Sequence, residues 1–551
     1  MPSPGIQLAF RPSRHDPGVW FVLLFCVTAL LSAAEPDAWQ DALRPAGEGW
    51  RSTAQDLVFN NESEPKTLDP HLITGVVEAR LALALFEGLT SLDPRTLEPR
   101  PGMASSWEAD ADGLGWTFHL RSGLTWSDGT PITSATVRAS WLRALDPRTG
   151  ADYAELFDPI VGAEAIRTGK ASVDALGVTA EDGTVRVRLS RPCPWFLSLC
   201  AFHAFAPVPL HTIAAFGETW TRPEHIVVNG AFTISAWQPR ERIVLVPNPR
   251  WHGNKRVRLS SITALPYQDA DAAYRLFRQG RLHWMASVPQ PKWDEVRWLP
   301  EYYVSPVLTS YFYRFNCSKP PFDDKRVRKA FSLALDRSVV AGQVLRAGQV
   351  PATWLTPAVA GYEPPPGLPT DRAAARRLLA EAGYGPGGKD LGRIELLYNT
   401  SEAHKQVAEA VAKQWEDALG VRVELINREW KAYLADTSAL NYQVARASWQ
   451  GDYLDPDTFL SLWRSGGGNN RTGWSNQAYD AGLAAAQNDT DPVRRLARYR
   501  ALEDQLVSDE FPFMPIYIYV SQGLIRPEVR GWFENVRDEH PWQYMWLEPV
   551  P

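Results

Sequence analysis

Apolar positions change period several times between Ile394 and Asp457, and each change marks an element. Ile394 to Tyr398 is an apolar run of strand length. Ala403, Val407, Val411, Trp415 and Leu419 then recur every fourth residue, one face of a helix. Gly420 follows where a left-handed residue commonly ends a helix. Val421, Val423 and Leu425 alternate with Arg422 and Glu424, which predicts the next strand. Glu429 to Leu440 suits a second helix, and Tyr442 opens a third strand. Strand, helix, strand, helix, strand is the order of a parallel α/β sheet. Ligands of such sheets bind beyond the carboxyl ends of the strands. His404 and Trp430 follow the first two ends, and the third carries Tyr442 to Asp457, YQVARASWQGDYLDPD. There Arg446, Trp449 and Asp452 are spaced by three and are expected to leave one strand end together. A cation, a large aromatic and an acid suit a ligand with both charges and an apolar body, such as a peptide.

Upstream, Leu57-Val58-Phe59 reads as a strand, and the two prolines and polar residues of Asn61 to Gly75 forbid a regular element. Val77 to Glu87 is helix-compatible, with Gly88 as its stop. Trp116 to Leu120 and Val185 to Leu189 alternate as strands, near the turn pairs Asp128-Gly129 and Asp182-Gly183. Residues 90 to 212 therefore form a strand-rich stretch with some helices.

At the amino end, Arg11 and Arg14 precede an apolar run from Val19 to Leu31, followed by Ser32-Ala33-Ala34. This predicts a secretory signal cleaved after Ala34. The competing reading is a retained membrane anchor. Phe25 stands before Cys26, where a lipoprotein signal requires a small residue. Residues 35 to 54 are polar and read as a lead-in.

The chain's 23 tryptophans argue for aromatic packing and for aromatic ligand walls. A net charge of −6 gives no basis for binding nucleic acid. After cleavage Cys193, Cys200 and Cys317 remain, an odd number. A helix from Trp195 to Cys200 would hold Cys193 and Cys200 roughly 10 Å apart, too far for a disulfide, so buried free thiols are expected. There is no CxxC, HExxH or Cys/His cluster, so neither a metal nor a cofactor is expected.

Several long stretches are similar to the oligopeptide-binding proteins of bacterial ABC importers, the peptide/nickel class of extracellular solute-binding proteins. They are SEPKTLDPHL, LFEGLTSLDP, WTFHLRSGLTWSDGTPIT with the following Trp141, IVVNGAFTISAWQPRERIVLVPNP, and RVRKAFSLALDR at 326 to 337. They run in order from about Val58 to about Trp532. The resemblance implies a two-lobed periplasmic-binding-protein fold (type II-like) with an inserted domain and a ligand cleft between the lobes. By analogy lobe I is 55–86, 213–308 and 520–551, the inserted domain is 87–212, and lobe II is 309–519.

The resemblance also implies roles. Asp452 meets the peptide's α-ammonium, which cannot be enclosed unpaired without a cost of several kcal/mol; the competing reading is a loop acid paired with a local arginine. Arg446 and His404 handle the carboxylate or a water bridging to it, as a guanidinium fork can; otherwise they are an outward strand arginine and a surface histidine. Trp449 and Trp430 wall side-chain pockets, against the default of core packing. Tyr153 reaches the cleft from the inserted domain, and the backbone of Thr74, Gly75 and Val76 pairs with the ligand like an added strand.

Three departures concern ligand preference. The family's disulfide places fall at Thr309 and Gln450, a pocket glutamate is replaced by Arg314, and two carboxylate-binding cations fall at Leu345 and Thr437, with Arg346 adjacent to the former. The expected function is a periplasmic, monomeric carrier of short peptides that delivers them to permease subunits of an ABC transporter. The same fold could instead take a murein peptide, a sugar or a metal chelate. A secreted hydrolase using His404 with Asp452 or Asp455 lacks a nucleophile motif such as GxSxG.

Overall fold

The structure, a computed structural model, describes residues 54 to 548 except 358, 360 and 386, and omits the side chain of Gln290. The signal segment and nearly all of the lead-in lie outside the described residues.

One large sheet organises the molecule. From one edge its strands are Arg422–Arg428, Arg393–Asn399, Val444–Gln450, Tyr302–Phe315, Phe513–Ile525, Trp284–Met285, Asp56–Asn60, Ser261–Leu265, Arg242–Pro247 and Phe232–Gln238, with the short Val350–Pro351 pairing off this path to Phe513–Ile525. At the first edge Arg393–Asn399 runs parallel to both neighbours, as the periodicity predicts. The intervening helix is Glu402–Leu419, and it buries Val407, Val411 and Trp415. It ends at Gly420 with φ 71°, the left-handed cap that glycine adopts without a Cβ penalty. Trp430–Ser438 is the second helix.

Two long antiparallel strands, Tyr302–Phe315 and Phe513–Ile525, join this parallel edge to the rest of the sheet. Their register shifts between Pro306 and Ser310, opposite Val520 and Ile518. Tyr311, Tyr313 and Phe315 pack into the core beneath Trp415, while Leu308 and Phe312 pack on the other face with Trp463 and Tyr499. That alternation follows from the two-residue period of a strand. A third core gathers residues of 57–86, 206–264 and 529–547 with Trp284 and Tyr303. A fourth draws on 89–205 and on Tyr453, with Val227 and Trp449 packed against it. The fourth surrounds an antiparallel four-stranded sheet, in the order Ala104–Ala109, Gly115–Leu120, Thr184–Arg188 and Val178–Glu181. Asp182 and Gly183, both at positive φ, close the hairpin between the last two.

Two local expectations change. The first helix is Val76–Leu85, ending before Glu87, because Phe86 is already extended at φ −129° and ψ 144°. Gly88 serves a different purpose: a Cβ there would lie 2.0 Å from the Cys200 carbonyl oxygen, so the chain can pass only as glycine. Arg446 is the third residue of its strand, not its end. An odd separation along a strand puts Arg446 and Trp449 on opposite faces.

The three cysteines are free, with Cys193 and Cys200 buried, in keeping with the spacing argument. Thr309 and Gln450 are direct cross-strand partners. Opposed residues of an antiparallel pair have Cα atoms roughly 4.5 to 5.5 Å apart, within disulfide range. The double variant T309C/Q450C is therefore expected to oxidise to one intramolecular disulfide, read as a two-thiol loss by mass spectrometry under non-reducing conditions. A persistent pair of free thiols would contradict the register.

Candidate functional site

The loop after the Val444–Gln450 strand is fixed from below by one buried charge pair and a set of hydrogen bonds. Asp455 takes a fork from Arg495 at 2.6 and 2.9 Å. Asp457 accepts from the hydroxyls of Tyr453 at 2.8 Å and Tyr499 at 2.6 Å, and from the Gln487 amide at 2.9 Å. The Thr458 hydroxyl accepts from the Asp452 N–H at 3.0 Å and donates to the Asp452 carboxylate at 3.3 Å. This network was not visible in the sequence, where Asp455 was an alternative catalytic acid.

Asp452 is only 5% exposed and forms no ion pair among the described residues. The local-arginine reading is therefore not what the structure shows: Arg537, the arginine that acts on it most, is paired with Glu539 at 2.6 Å. Burial pushes the Asp452 carboxyl up to about 7, against the pull of Arg537 and the Thr458 hydroxyl. A carboxylate so placed is short of a cation.

Asp452, Trp449 and Tyr153 line one cavity. The Tyr153 and Trp449 rings lie 6.4 Å apart, and the Trp449 indole donates to Thr458 at 3.3 Å. Sequence reasoning missed the other wall residues, among them Glu155, Arg191 and Trp195. Trp195 stacks on Tyr453 at 4.8 Å and 3°. Glu155 is pushed up to about 7 by burial, with Arg464 opposing. These three residues are more than 250 positions from Asp452, and no local pattern marks them.

A second group gathers around Arg446. Its guanidinium lies 4.9 Å over the Tyr311 ring and donates to the Tyr519 hydroxyl at 3.0 Å and to Asn399 at 3.4 Å, while its Nε has no partner. Burial works against the charge, but the phenols of Tyr519, Tyr311, Tyr433 and Tyr517 outweigh it and hold the pKa above the usual value. His404 faces Tyr311, its Nδ1 3.5 Å from the hydroxyl, and burial and then Arg446 keep it neutral. His404 contacts this group, and neither Asp452 nor Asp455 is among its partners.

Trp430 stacks on Tyr433 at 5.5 Å, and Tyr433 donates to the Arg446 carbonyl. A Cβ on Gly75 would lie 3.9 Å from the Trp430 ring, so the 74–76 segment meets the start of the Trp430–Ser438 helix there. Gly75 is extended at φ −120° and ψ 153°, and its carbonyl is taken by the Ala79 N–H. Val76 already begins a helix. The first N–H groups of a helix have no partner within it. Thr74 to Val76 thus offers donors at a helix start and only a short extended edge.

Arg314 lies on the opposite face of its strand from Tyr311 and Tyr313, 5% exposed, and donates to the Asn469 carbonyl at 2.9 Å. Among the described residues no group of three or more His, Cys, Asp or Glu is placed to hold a metal, and no helix is long and apolar enough to cross a membrane.

A family model for the bacterial extracellular solute-binding proteins, family 5, matches residues 98–471. The chain belongs to this family. The periplasmic oligopeptide-binding protein OppA of Escherichia coli is 38% identical over 503 residues, covering 87% of this chain and 90% of its own. The periplasmic murein peptide-binding protein MppA of the same organism is 39% identical over 492 residues, covering 87% and 90%. A solved structure of that murein tripeptide binding protein superposes with a TM-score of 0.86 at 37% identity, over 90% of this chain and 99% of that one. Its unliganded open form gives only 0.63 over 90% and 98%. Sequence and coverage being alike, the difference is conformational, and this solute-binding protein has the arrangement of the former. The two-lobed α/β fold expected from the resemblance is the fold observed.

Proposed function

We propose that this protein captures short peptides in the periplasm and delivers them to the permease subunits of an ABC transporter. The observation that carries the reading is Asp452, a buried carboxylate without a counterion at the wall of a cavity shared with Trp449 and Tyr153. A peptide's α-ammonium is the cation that such a group lacks. Relatives named for oligopeptide and murein-peptide binding support the peptide class. Arg446, with His404 neutral beside it, serves the carboxylate end of the ligand. Trp430 and Trp449 serve as flat walls, which tolerate varied side chains.

The protein acts as a monomer, exported by the segment ending at Ala34. Its lobes, 55–86 with 213–308 and 520–551 against 309–519, close on the ligand about the two long strands, with 87–212 riding on the first. The register break between Pro306 and Ser310 supports a hinge there. Closure follows from tighter binding to the closed state.

Mass spectrometry of ligands released from the purified protein tests the reading. Free-amine peptides of a narrow length range are expected. A sugar or a metal chelate would overturn the peptide reading, and turnover of added peptides would favour a hydrolase.

A further inference from the structure

Two other buried arginines show how a guanidinium is satisfied here. Arg495 pairs with Asp455, and Arg337 donates to the carbonyls of Pro515, Ser332 and Leu335 and to the Ser332 hydroxyl. Arg314 has neither arrangement. It joins no ion pair among the described residues, its Nε is closed off without a partner, and its one hydrogen bond goes to a neutral carbonyl, that of Asn469. The nearest full charge acting on it is of its own sign, Arg471, with Arg446 weaker; the phenols of Tyr433 and Tyr442 and the Phe312 ring, 5.7 Å from the guanidinium, offset them in part. Burial first, and then Arg471, push its pKa down to about 10. Arg471 in turn is held by Asp152 at 3.4 Å, just ahead of Tyr153.

An enclosed guanidinium without an anion costs several kcal/mol after relaxation. A carboxylate suits it best, because the planar fork meets two oxygens at once. The place fits a ligand group. Asn469, which receives the Arg314 hydrogen bond, is also a wall residue of the cavity that holds Asp452, Trp449 and Tyr153. The unpaired cation therefore stands directly behind the wall of the space that contains the unpaired acid.

Resting on the peptide-binding reading above, we propose that Arg314, backed by Arg471, receives a carboxylate of the bound peptide. The protein then prefers peptides with a negative charge a short way from the amino end. That carboxylate has two sources: an acidic side chain, or the carboxyl terminus of a very short peptide.

Calorimetric titration of the full protein, stripped of ligand, with Ala-Glu-Ala, Ala-Gln-Ala, Ala-Lys-Ala and Ala-Ala tests this. If the side chain is the source, Ala-Glu-Ala binds at least tenfold tighter than Ala-Gln-Ala, and Ala-Lys-Ala binds weakest. If the terminus is the source, Ala-Ala binds at least tenfold tighter than the Gln tripeptide and loses that advantage as its C-terminal amide. Arg314→Glu is expected to reverse the order of the Glu and Lys peptides, with its fold checked by circular dichroism. The wild-type series decides even if that variant does not fold. Equal affinity for the three tripeptides, with Ala-Ala no tighter, overturns the assignment of Arg314 while leaving peptide binding intact. Binding of none of them overturns the peptide reading itself, and this inference with it.

Discussion

Replacing Asp452 with alanine is expected to weaken peptide binding at least tenfold, about 1.4 kcal/mol or more. The loss follows from what the ligand would then enclose, an α-ammonium with no carboxylate to meet it. The pH dependence makes the prediction sharper. In the ligand-free protein the Asp452 carboxyl sits at about 7, and only its ionised form can pair with the ammonium. Below pH 7 the ionised fraction falls tenfold per unit. Affinity is therefore expected to fall by up to tenfold per unit as pH drops, until the lower pKa of the bound state is reached. In the same window binding should release a proton, seen as a calorimetric heat that varies with the ionisation enthalpy of the buffer. Glu155 faces the same cavity and titrates near the same pH, and its charge helps to raise Asp452. Glu155→Gln should keep the slope and move its midpoint to lower pH, whereas Asp452→Asn should flatten it. Stability runs the other way. A carboxyl at about 7 when folded and ~3.9 when unfolded binds more protons in the native state, so the ligand-free protein loses stability as pH rises through that interval.

Arg495→Met should destabilise the protein by about 3–5 kcal/mol in denaturant unfolding, because it leaves Asp455 buried without its partner. Two charge-assisted hydrogen bonds and the 5.0 Å packing of the guanidinium over Trp195 would be lost. Peptide affinity should fall as well, since the loop that Arg495 holds presents Asp452. Adding Asp455→Leu to Arg495→Met should recover part of the stability, as apolar replacement of both partners removes the stranded charge. A single variant within 1 kcal/mol of the wild type would show that the pair does not hold the loop.

What could be read from the sequence, and what could not, follows from how local each signal is. The parallel edge of the sheet was legible because the four-residue spacing from Ala403 to Leu419 and the alternation after Val421 each reflect one element burying one face. Asp452, Trp449 and Tyr153 are positions that the resemblance singles out, and all three line one cavity. Arg446 was placed at the wrong point for a reason the sequence itself contained. A spacing of three keeps residues together on a helix but separates them on a strand, so Arg446 falls with His404 and Tyr311, away from Trp449. Glu155, Arg191 and Trp195 could not be found, because their nearness to Asp452 depends on how the 89–205 core meets the 453 loop. The isolation of Arg314 was likewise invisible, because a missing counterion shows only once every neighbour is in place.

The most direct test of the account is a paired titration of the ligand-stripped protein with a free tripeptide and the same tripeptide acetylated at its amino terminus, at pH 8. Acetylation replaces the ammonium with an uncharged amide that carries one small acetyl group. Binding of the free peptide and at least a tenfold loss on acetylation are expected, a loss that disappears in Asp452→Asn. Equal affinity for the two peptides in the wild-type protein would contradict the account.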